Sequence, residues 1–527
     1  MPRAKPALHF LPLGGAGEIG MNLNLYEYDG AWLMCDLGIT FAGEELPGID
    51  LVMPDMSYIV QRREGLVGLV ITHAHEDHLG AVPYLWPLLR CPPSNQVQRH
   101  EAPMTELLTA DRQWEAQDVQ PPSLSTGHSP ARVRIFNVKY SPNLGDGLLG
   151  ECLQRSLIDC GASPDTWSVD LAGRTSYAAG TQARSMQLRV LGAIPAPLRR
   201  LAVRAPLAIQ SRRKWQPHYG KALDEADCMV IGGGNLITDL DLNFPTKIAL
   251  AVEETARRNL PAFLYACGVS GNWSPKGQAL LRSALDRKVI RRVFVRDERS
   301  RQLWNGLAGI AHGLEATVVR DPGLLASERY DLPVQLRNAD RPTIGVNVTS
   351  HLALRYHADD PPSAKALNDW YLDLSRALIA KGCRIAVFTN GTPEDRAYAA
   401  RLRPAFAAMG DCGTVSFPEA CTPGELTRVI AGLDGLAAFR MHAVIAAYSC
   451  GVPFLALAWD PKLDSFVRSV DRDAWLCQPV QTSGAVAADR LIAATQQGIP
   501  EAERKLAIAQ ARRDVAMLHA EIANAVA

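Results

Sequence analysis

The chain has 527 residues, enough for several domains, and its 55 basic residues balance 55 acidic ones, which argues against a globally basic nucleic-acid binder. The 11 cysteines include no C-x-x-C pair, so they indicate reduced thiols rather than a disulfide framework. No apolar run reaches the length of a membrane span. We therefore expect a cytoplasmic protein, and peripheral association with a membrane stays open.

The chain opens with a strand over residues 8–13, followed by the G-x-G-x-x-G run from Gly15 to Gly20. A dinucleotide-binding fold requires a helix after these glycines. Instead, residues 21–28 alternate with period two, and Asp29-Gly30 turns the chain into another strand. The pattern therefore predicts a β-hairpin and argues against a nicotinamide or flavin site.

A run of metal-binding side chains follows the next buried strand, which covers residues 66–72. The run His73-Ala-His75-Glu-Asp77-His78 places three imidazoles and a carboxylate in one loop. Such a set suits two cations that share a bridging water. The H-x-H-x-D-H spacing is specific, and it makes His73, His75, Asp77 and His78 candidate metal ligands.

Together with residues 12–30, the strand-end Asp36 and residues 78–92, this run closely resembles the start of ribonuclease J, of the metallo-β-lactamase superfamily. The resemblance implies that His73 and His75 hold one zinc and that Asp77 and His78 hold the other. It stops near Pro92, whereas a complete site takes further ligands from later strands. After that point only His100 and His128 are candidates, and neither follows a clear strand. We expect residues 1–92 to be a partial αββα segment with an incomplete ligand set, so that zinc binding is the less favoured outcome.

Residues 93–130 are polar and rich in proline at both ends. Such a composition cannot bury a core of its own. We interpret this stretch as a linker between the first segment and a longer, unrelated region.

In the longer region, strands end in glycines or polar residues. The strand over residues 133–139 leads into Asn143-Leu-Gly145-Asp146, where small residues let a ligand approach backbone donors, or where Asp146 is only a helix N-cap. A second strand ends in Gly232-Gly233-Gly234-Asn235, where the backbone comes close to a ligand phosphate or to a neighbouring helix. A third ends at Arg296. Because ligands bind at the carboxyl ends of strands in open α/β sheets, we expect these residues to line a site.

The most informative pair lies further along, where a short buried strand over residues 436–439 is followed by Arg440, His442 and a helix. Free backbone N–H groups and the helix dipole favour an anion at a helix start, and a guanidinium with an imidazole strengthens that preference. The alternative is a histidine that only caps its own loop. We predict a pocket for a small phosphorylated or carboxylated donor.

The alternation of strands and helices predicts an α/β fold built from two doubly wound parallel-sheet halves with a cleft between them, the architecture called GT-B. We place the first half at residues 131–335. The second half covers residues 336–527 and ends in a terminal helix that begins at Glu501.

The motifs of this region come in the order found in the polysaccharide pyruvyl transferase family, which the region resembles. They are Asn143-Leu-Gly145-Asp146, Gly232-Gly233-Gly234-Asn235, Gly268-Val-Ser270, Arg296-Asp297, Asp321-Pro322, Arg440-Met-His442-Ala443 and Gly451-Val-Pro453. Members of that family move the enolpyruvyl unit of phosphoenolpyruvate onto two hydroxyls of a sugar as a cyclic ketal. The resemblance implies that Arg440 and His442 are donor-binding and catalytic, with Arg296 as a second anion-binding arginine.

We therefore expect a pyruvyl transferase of exopolysaccharide or cell-wall glycan assembly. Its partners would be phosphoenolpyruvate and a glycan or lipid-linked sugar acceptor, with no nucleic acid and no required metal or redox cofactor. Two alternatives remain open at this point. One is a GT-B glycosyltransferase that uses a nucleotide sugar, and the other is a zinc-dependent ribonuclease or hydrolase that uses the H-x-H-x-D-H run.

Overall fold

The computed structural model describes residues 8–15, 21–41, 51–72, 76–85, 89, 129–177, 211–239, 242–333, 341–355, 363–479 and 481–526. The chain forms two compact units, residues 1–119 and 120–527, which are treated separately below. Residues 93–128 of the predicted linker, with His100 and His128, lie outside the described part. So do residues 16–20 of the G-x-G-x-x-G run.

The first unit contains a four-stranded mixed sheet in the order β1-β2-β3-β6, beside a two-stranded ribbon of β4 and β5. Its hairpin turns at Asp29 and Gly30, which have φ values of 51° and 83°, so the predicted hairpin is confirmed. The elements are β1 (Leu8–Gly14), β2 (Leu23–Tyr28), β3 (Ala31–Cys35), β4 (Thr40–Phe41), β5 (Leu51–Val52), α1 (Ser57–Val60), β6 (Leu66–Val70), α2 (Glu76–Leu79) and α3 (Val82–Leu85).

The second unit contains two six-stranded sheets in which every neighbouring pair of strands is parallel. The prediction of two doubly wound halves is therefore confirmed. The strands of the first sheet are β7 (Val133–Asn137), β8 (Trp167–Asp170), β9 (Cys228–Gly232), β10 (Ala262–Cys267), β11 (Ile290–Val295) and β12 (Ala316–Val318). Those of the second are β13 (Thr343–Asn347), β14 (Arg384–Phe388), β15 (Val415–Ser416), β16 (Gly435–Ala438), β17 (Phe454–Leu457) and β18 (Leu476–Cys477).

Helices connect these strands, as parallel neighbours require. In the first half they are α4 (Leu144–Asp159), α5 (Gln216–Leu223), α6 (Asn243–Arg257), α7 (Pro275–Leu285), α8 (Glu298–Trp304) and α9 (Ala326–Arg329). In the second half they are α10 (His351–Arg355), α11 (Ala364–Ala380), α12 (Pro393–Ala407), α13 (Pro423–Ala431), α14 (Met441–Ser449), α15 (Pro461–Ser469), α16 (Gly484–Gln497) and α17 (Glu501–Val526).

The two strand orders explain where a ligand can bind. The first sheet runs β12-β11-β10-β9-β7-β8 and the second runs β15-β14-β13-β16-β17-β18. The order reverses between β7 and β9 in the first sheet and between β13 and β16 in the second. At such switch points the loops leave in opposite directions and open a crevice at the carboxyl ends of the strands. In the described part of the chain, each half therefore has such a crevice, bordered by the loop after β7 in the first sheet and by the loop after β16 in the second.

The terminal helix α17 ties the halves together. It follows the second sheet in the chain, yet Asp514 on this helix accepts a hydrogen bond from the backbone N–H of Arg320 in the first half, at 2.6 Å. Arg512 forms an ion pair with Glu328 of α9, also in the first half. Among the helices of the described ranges, none has the length and apolarity needed to cross a membrane.

Candidate functional site

The start of α14 is built by a buried strand that leads directly into a buried helix. All four residues of β16 are buried, Arg440 has extended backbone (φ −79°, ψ 110°), and α14 begins at the next residue. Every residue of this helix after Met441 is buried. The sequence pattern thus fixes the Arg440 and His442 side chains at the switch point of the second sheet, at a helix start that the side chain of its N-cap residue does not cap.

Arg440 is held by a buried carboxylate. Its Nη2 and Nε atoms lie 2.5 and 3.2 Å from Oδ2 of Asp395, whose side chain is completely buried. The other oxygen of Asp395 accepts the backbone N–H of Ser350 at 2.8 Å. These contacts fix the plane of the guanidinium and, among the described residues, leave its Nη1 atom for a ligand.

His442 reaches across to the first half of the unit. Its Nδ1 atom lies 3.4 Å from Oδ1 of Asp146, in the first turn of α4. The imidazole is about nine-tenths buried, and its Nε2 atom has no hydrogen-bond partner in the described part of the chain. A Nδ1–H directed at Asp146 would set the tautomer in which Nε2 can accept a proton.

Gly145 allows His442 to come close to the start of α4. A Cβ atom at that position would lie 2.6 Å from Cβ and 2.9 Å from Nδ1 of His442. Real Cβ atoms do not come so close, so any side chain at position 145 would displace the imidazole. The room that the small residue provides is therefore filled by His442.

The loop around Gly145 is closed from both halves. Asn143 is the N-cap of α4, since its Oδ1 accepts the N–H of Gly145 at 3.3 Å. Its Nδ2 donates to Asp146 at 3.2 Å, so the alternative interpretation of Asp146 as the N-cap is wrong. From the second half, the carbonyl of Asn390 accepts the N–H of Leu144 at 2.8 Å. The starts of α4 and α14 thus form one assembled site.

The three glycines at the end of β9, Gly232 to Gly234, do not all have the same role. A Cβ at Gly232 would meet Leu153 at 2.8 Å, and one at Gly233 would meet Leu149 at 3.1 Å, so these two glycines allow α4 to pack closely. Gly234, with a φ of 79°, would meet no atom within 4 Å and borders open space. Of the two explanations that the sequence left open, helix packing accounts for the first two glycines.

Arg296 lies in a separate cluster, at the carboxyl ends of β9, β10 and β11. Its side chain is only 5% exposed, and Asp297 Oδ2 lies 3.4 Å from its Nε. The guanidinium lies over Gly268, where a Cβ would come within 2.5 Å of Nη2. Asn235 extends into the same cluster and contacts Ser270. The structure therefore gathers the predicted residues into two groups, one around His442 and one around Arg296.

Sequence reasoning missed three residues of these groups: Asn390, Asp395 and Lys462. In the sequence, Asp395 resembles an ordinary carboxylate in the first turn of a helix. No neighbouring residue indicates that it is buried beside Arg440. Lys462 follows the end of β17, and its Nζ atom lies 3.1 Å from the side-chain amide of Asn235 when the oxygen of that amide faces it. The rule that ligands bind at the carboxyl ends of strands would have found it.

In the first unit, Asp36 and His78 form a small polar network. Asp36 accepts the N–H of Thr72 at 2.7 Å and pairs with His78 Nδ1 at 2.8 Å. Burial acts to raise the pKa of Asp36, but the hydrogen bonds from Thr72 and His78 outweigh it and hold the pKa below its ordinary value. His78 Nε2 lies 3.2 Å from Asp77 Oδ2, so the two candidate ligands are also neighbours.

The candidates His73 and His75 lie outside the described residues. Within the described ranges, no group of three or more His, Cys, Asp or Glu side chains is arranged to hold a metal ion. A catalytic zinc site takes three protein ligands, and Asp77 and His78 supply two. The described residues alone therefore do not fit a zinc centre, and no chemical step is assigned to one.

Comparison with known proteins finds one family for the front of the chain and another for most of the rest, and the two matches overlap at residues 143–166. The family described as polysaccharide pyruvyl transferase matches residues 143–461, and the metallo-β-lactamase superfamily matches residues 21–166. The chain is 56% identical to ribonuclease J of Sinorhizobium meliloti over 89 residues, 16% of each protein. It is 45% identical to that of Mycolicibacterium smegmatis over 84 residues, 16% of this chain and 15% of that protein. The chain thus spans about one sixth of the length of these curated relatives.

Solved structures that are similar to this chain include two epimerases, each matched over about three quarters of the chain. A putative UDP-N-acetylglucosamine 2-epimerase from Listeria monocytogenes matches 75% of this chain and 96% of its own, with a TM-score of 0.44 and 10% identity. The UDP-GlcNAc 2-epimerase from Neisseria meningitidis, solved with UDP-GlcNAc bound, matches 74% of this chain and 99% of its own, with a TM-score of 0.43 and 12% identity.

Proposed function

Because the chain belongs to the polysaccharide pyruvyl transferase family, we propose that it moves the enolpyruvyl unit of phosphoenolpyruvate onto a sugar of an exopolysaccharide or cell-wall glycan as a ketal. The observation that carries the proposal is the contact of His442 with Gly145 and Asp146. It brings the starts of two helices, a guanidinium and an imidazole together between the halves. Such a place suits a small, doubly anionic donor.

The donor carries a carboxylate and a phosphate, so its recognition needs cations and directed N–H donors. Arg440 offers Nη1, because Asp395 binds only Nε and Nη2. Arg296 offers a second guanidinium at strand ends of the other half. Two separated cationic groups fit a molecule with two separated anionic groups.

The reaction requires two proton transfers that balance. Two sugar hydroxyls add to C2 of the donor and lose their protons, and the bond from C2 to the phosphate oxygen breaks. One proton ends on the methylene carbon, which becomes a methyl group, and the other leaves with the phosphate. The Nε2 atom of His442 is buried and has no hydrogen-bond partner among the described residues, so it is the atom we assign to one of these transfers. Asp146 orients the ring through Nδ1.

The reaction as written needs no metal or redox cofactor. Charge is neutralised by the two arginines, and the protons are carried by ordinary acid–base groups.

The test is to incubate the pure protein with phosphoenolpyruvate and a panel of glycan and lipid-linked sugar acceptors, and separately with nucleotide sugars and the same acceptors. We expect phosphate release that depends on an acceptor, with no nucleoside diphosphate. The main rival is a glycosyltransferase on the same two-sheet architecture. Release of nucleoside diphosphate with no consumption of phosphoenolpyruvate would establish the rival and end the proposal.

A further inference from the structure

Three asparagine side chains, those of Asn347, Asn390 and Asn143, form a row of hydrogen bonds from the second half to the first, here called the asparagine bridge. Nδ2 of Asn347, the last residue of β13, donates to Oδ1 of Asn390 at 2.9 Å. Nδ2 of Asn390 donates to Oδ1 of Asn143 at 3.5 Å. Nδ2 of Asn143 donates to Oδ1 of Asp146 at 3.2 Å, and the same oxygen lies beside Nδ1 of His442. The bridge therefore ends on the carboxylate that orients the imidazole.

The amides of the asparagine bridge all point in the same direction. Oδ1 of Asn143 accepts the backbone N–H of Gly145, so its Nδ2 is left to face Asp146. From Asn347 onward, each amide nitrogen donates to the oxygen of the next group, and the last acceptor is a carboxylate. Aligned hydrogen bonds polarise one another, and a hydrogen bond to an ionised group is stronger than one between neutral groups. The bridge is therefore a directed support for Asp146.

The backbone around Asn390 holds the two halves close together at the bridge. The carbonyl of Asn390 accepts the N–H of Leu144 at 2.8 Å, so its main chain and its side chain both bind the start of α4. Gly391, with a φ of 98°, packs against the same loop, where a Cβ would lie 3.0 Å from the Leu144 side chain and from the carbonyl of Pro142. Such a backbone conformation with so little room favours glycine. The contact is thus built for close approach.

Stability alone does not account for the two amides of the second half. Asn347 and Asn390 are both completely buried. Oδ1 of Asn347 has no hydrogen-bond partner among the described residues. Burial of an amide with an unpaired acceptor is unfavourable for folding, and an apolar side chain of the same size would avoid that cost. An arrangement that is unfavourable for folding, yet directed at a site residue, indicates a role in the reaction.

The segment that contains Asn390 also holds the guanidinium of the site. Asp395, in the first turn of α12, forms the ion pair with Arg440. Asn390 lies just before this helix, in the loop after β14. Residues 390–395 therefore support Arg440 directly and His442 through the start of α4.

We infer that Asn347 and Asn390 are positioning residues for the reaction. Their amides hold Asn143, and through it Asp146, in the place that fixes the imidazole of His442. The inference rests on the proposed function, which assigns one of the proton transfers to that imidazole. A displacement of about 1 Å can lower a reaction rate roughly a hundredfold. Loss of the bridge should therefore slow the chemical step and leave donor affinity unchanged, because the two buried amides are not accessible to a ligand.

The experiment measures kcat and KM for phosphoenolpyruvate in a double-mutant cycle on the full-length protein. Asn347→Ala removes the first amide of the bridge without changing any residue of the first half, so we expect kcat to fall roughly three- to tenfold with KM unchanged. In a protein that already carries Asp146→Ala, the same substitution should not lower kcat further, because the carboxylate that the bridge supports is gone. The loss of melting temperature caused by Asn347→Ala should be the same in both proteins.

Two further variants complete the design. Asn305→Ala is the matched control, because Oδ1 of Asn305 accepts the N–H of Ala316 at 2.9 Å beside the start of β12, whereas the site lies at the carboxyl ends of the strands. We expect its kcat to stay within about twofold of the unmodified protein. Asn390→Asp keeps the size of the side chain and an acceptor for Asn347, but it cannot donate to Asn143. Its kcat should fall at least as far as that of Asn347→Ala, and it tests the bridge if Asn347→Ala does not fold.

An equal loss of kcat with and without Asp146 would show that Asn347 acts independently of this carboxylate and would overturn the inference. So would a kcat of both bridge variants equal to that of Asn305→Ala, or a raised KM with an unchanged kcat. Turnover of nucleotide sugars in place of phosphoenolpyruvate, with the same coupling between Asn347 and Asp146, would reject the proposed function but retain the positioning role. Turnover of phosphoenolpyruvate without that coupling would do the opposite.

Discussion

The two units of this chain differ in how sequence similarity relates to an assembled site. The first unit shares 56% identity with a ribonuclease J over 89 residues, and its candidate ligands Asp77 and His78 are neighbours in the sequence. The second unit was matched through short, scattered motifs, and there the structure brings His442, Gly145 and Asp146 together from two halves. The first unit is thus related to known proteins through one stretch of sequence, whereas the site of the second unit is assembled from residues that lie far apart in the chain.

The largest effect on turnover is expected from substitution of His442, at the centre of the assembled site. His442→Ala should reduce turnover of phosphoenolpyruvate by roughly 10²- to 10⁴-fold, the usual contribution of a general acid or base. His312→Ala is a matched control, since His312 hydrogen-bonds Ala308 at 2.9 Å in the first half, away from both groups of site residues. Turnover is measured by phosphate release. Activity of His442→Ala equal to that of His312→Ala would remove the imidazole from the mechanism.

Arg440 should affect stability and turnover together, because it neutralises a buried charge. Arg440→Ala leaves Asp395 unpaired in a fully buried position, which is expected to lower the free energy of unfolding by about 3–5 kcal/mol. The double variant Arg440→Ala/Asp395→Asn removes that unpaired charge while keeping an oxygen for the N–H of Ser350. Denaturant unfolding should show most of the stability restored, and phosphate release should stay low.

This pair of variants separates two explanations of Arg440. If the double variant recovers turnover along with stability, Arg440 is only a structural partner of Asp395. If turnover stays low in a stable protein, the guanidinium contributes directly to donor binding, as proposed.

Gly145 tests whether the contact between the halves matters. In Gly145→Ala the new methyl group would overlap His442, so we expect a shift of the imidazole, a loss of turnover of roughly ten- to hundredfold and a destabilisation of about 1–3 kcal/mol. Gly306→Ala is the control, since a Cβ there meets no atom within 4 Å. Kinetics and thermal melting of the two variants measure the effect, and equal behaviour would show that the approach of His442 is not required.

Comparison of the structure with the predictions made from the sequence shows which features local patterns encode and which they do not. The strand runs, the helix starts and the Arg440 and His442 pair follow from local patterns, because burial on both faces and strand-to-helix turns leave clear signals. The short edge strand β8, with four residues, gave no such signal and was missed. The pairing of Arg440 with Asp395 joins residues 45 positions apart, and that of His442 with Asp146 joins the two halves. Contacts of this kind depend on how the elements pack, which no local pattern encodes.

Of all the changes proposed, removal of the ribonuclease J-like region is expected to have the smallest effect on turnover of phosphoenolpyruvate. Every residue of the two groups around His442 and Arg296 lies between positions 143 and 462, so a chain lacking residues 1–128 retains the proposed site. We expect its turnover of phosphoenolpyruvate to stay within about twofold of the full chain, because no charged or hydrogen-bonding group of the site is lost. Metal analysis of the full chain completes the comparison. Two zinc ions per chain, together with RNA cleavage that the deletion abolishes, would show that the first unit has a working metal site. The chain would then also be a zinc-dependent ribonuclease.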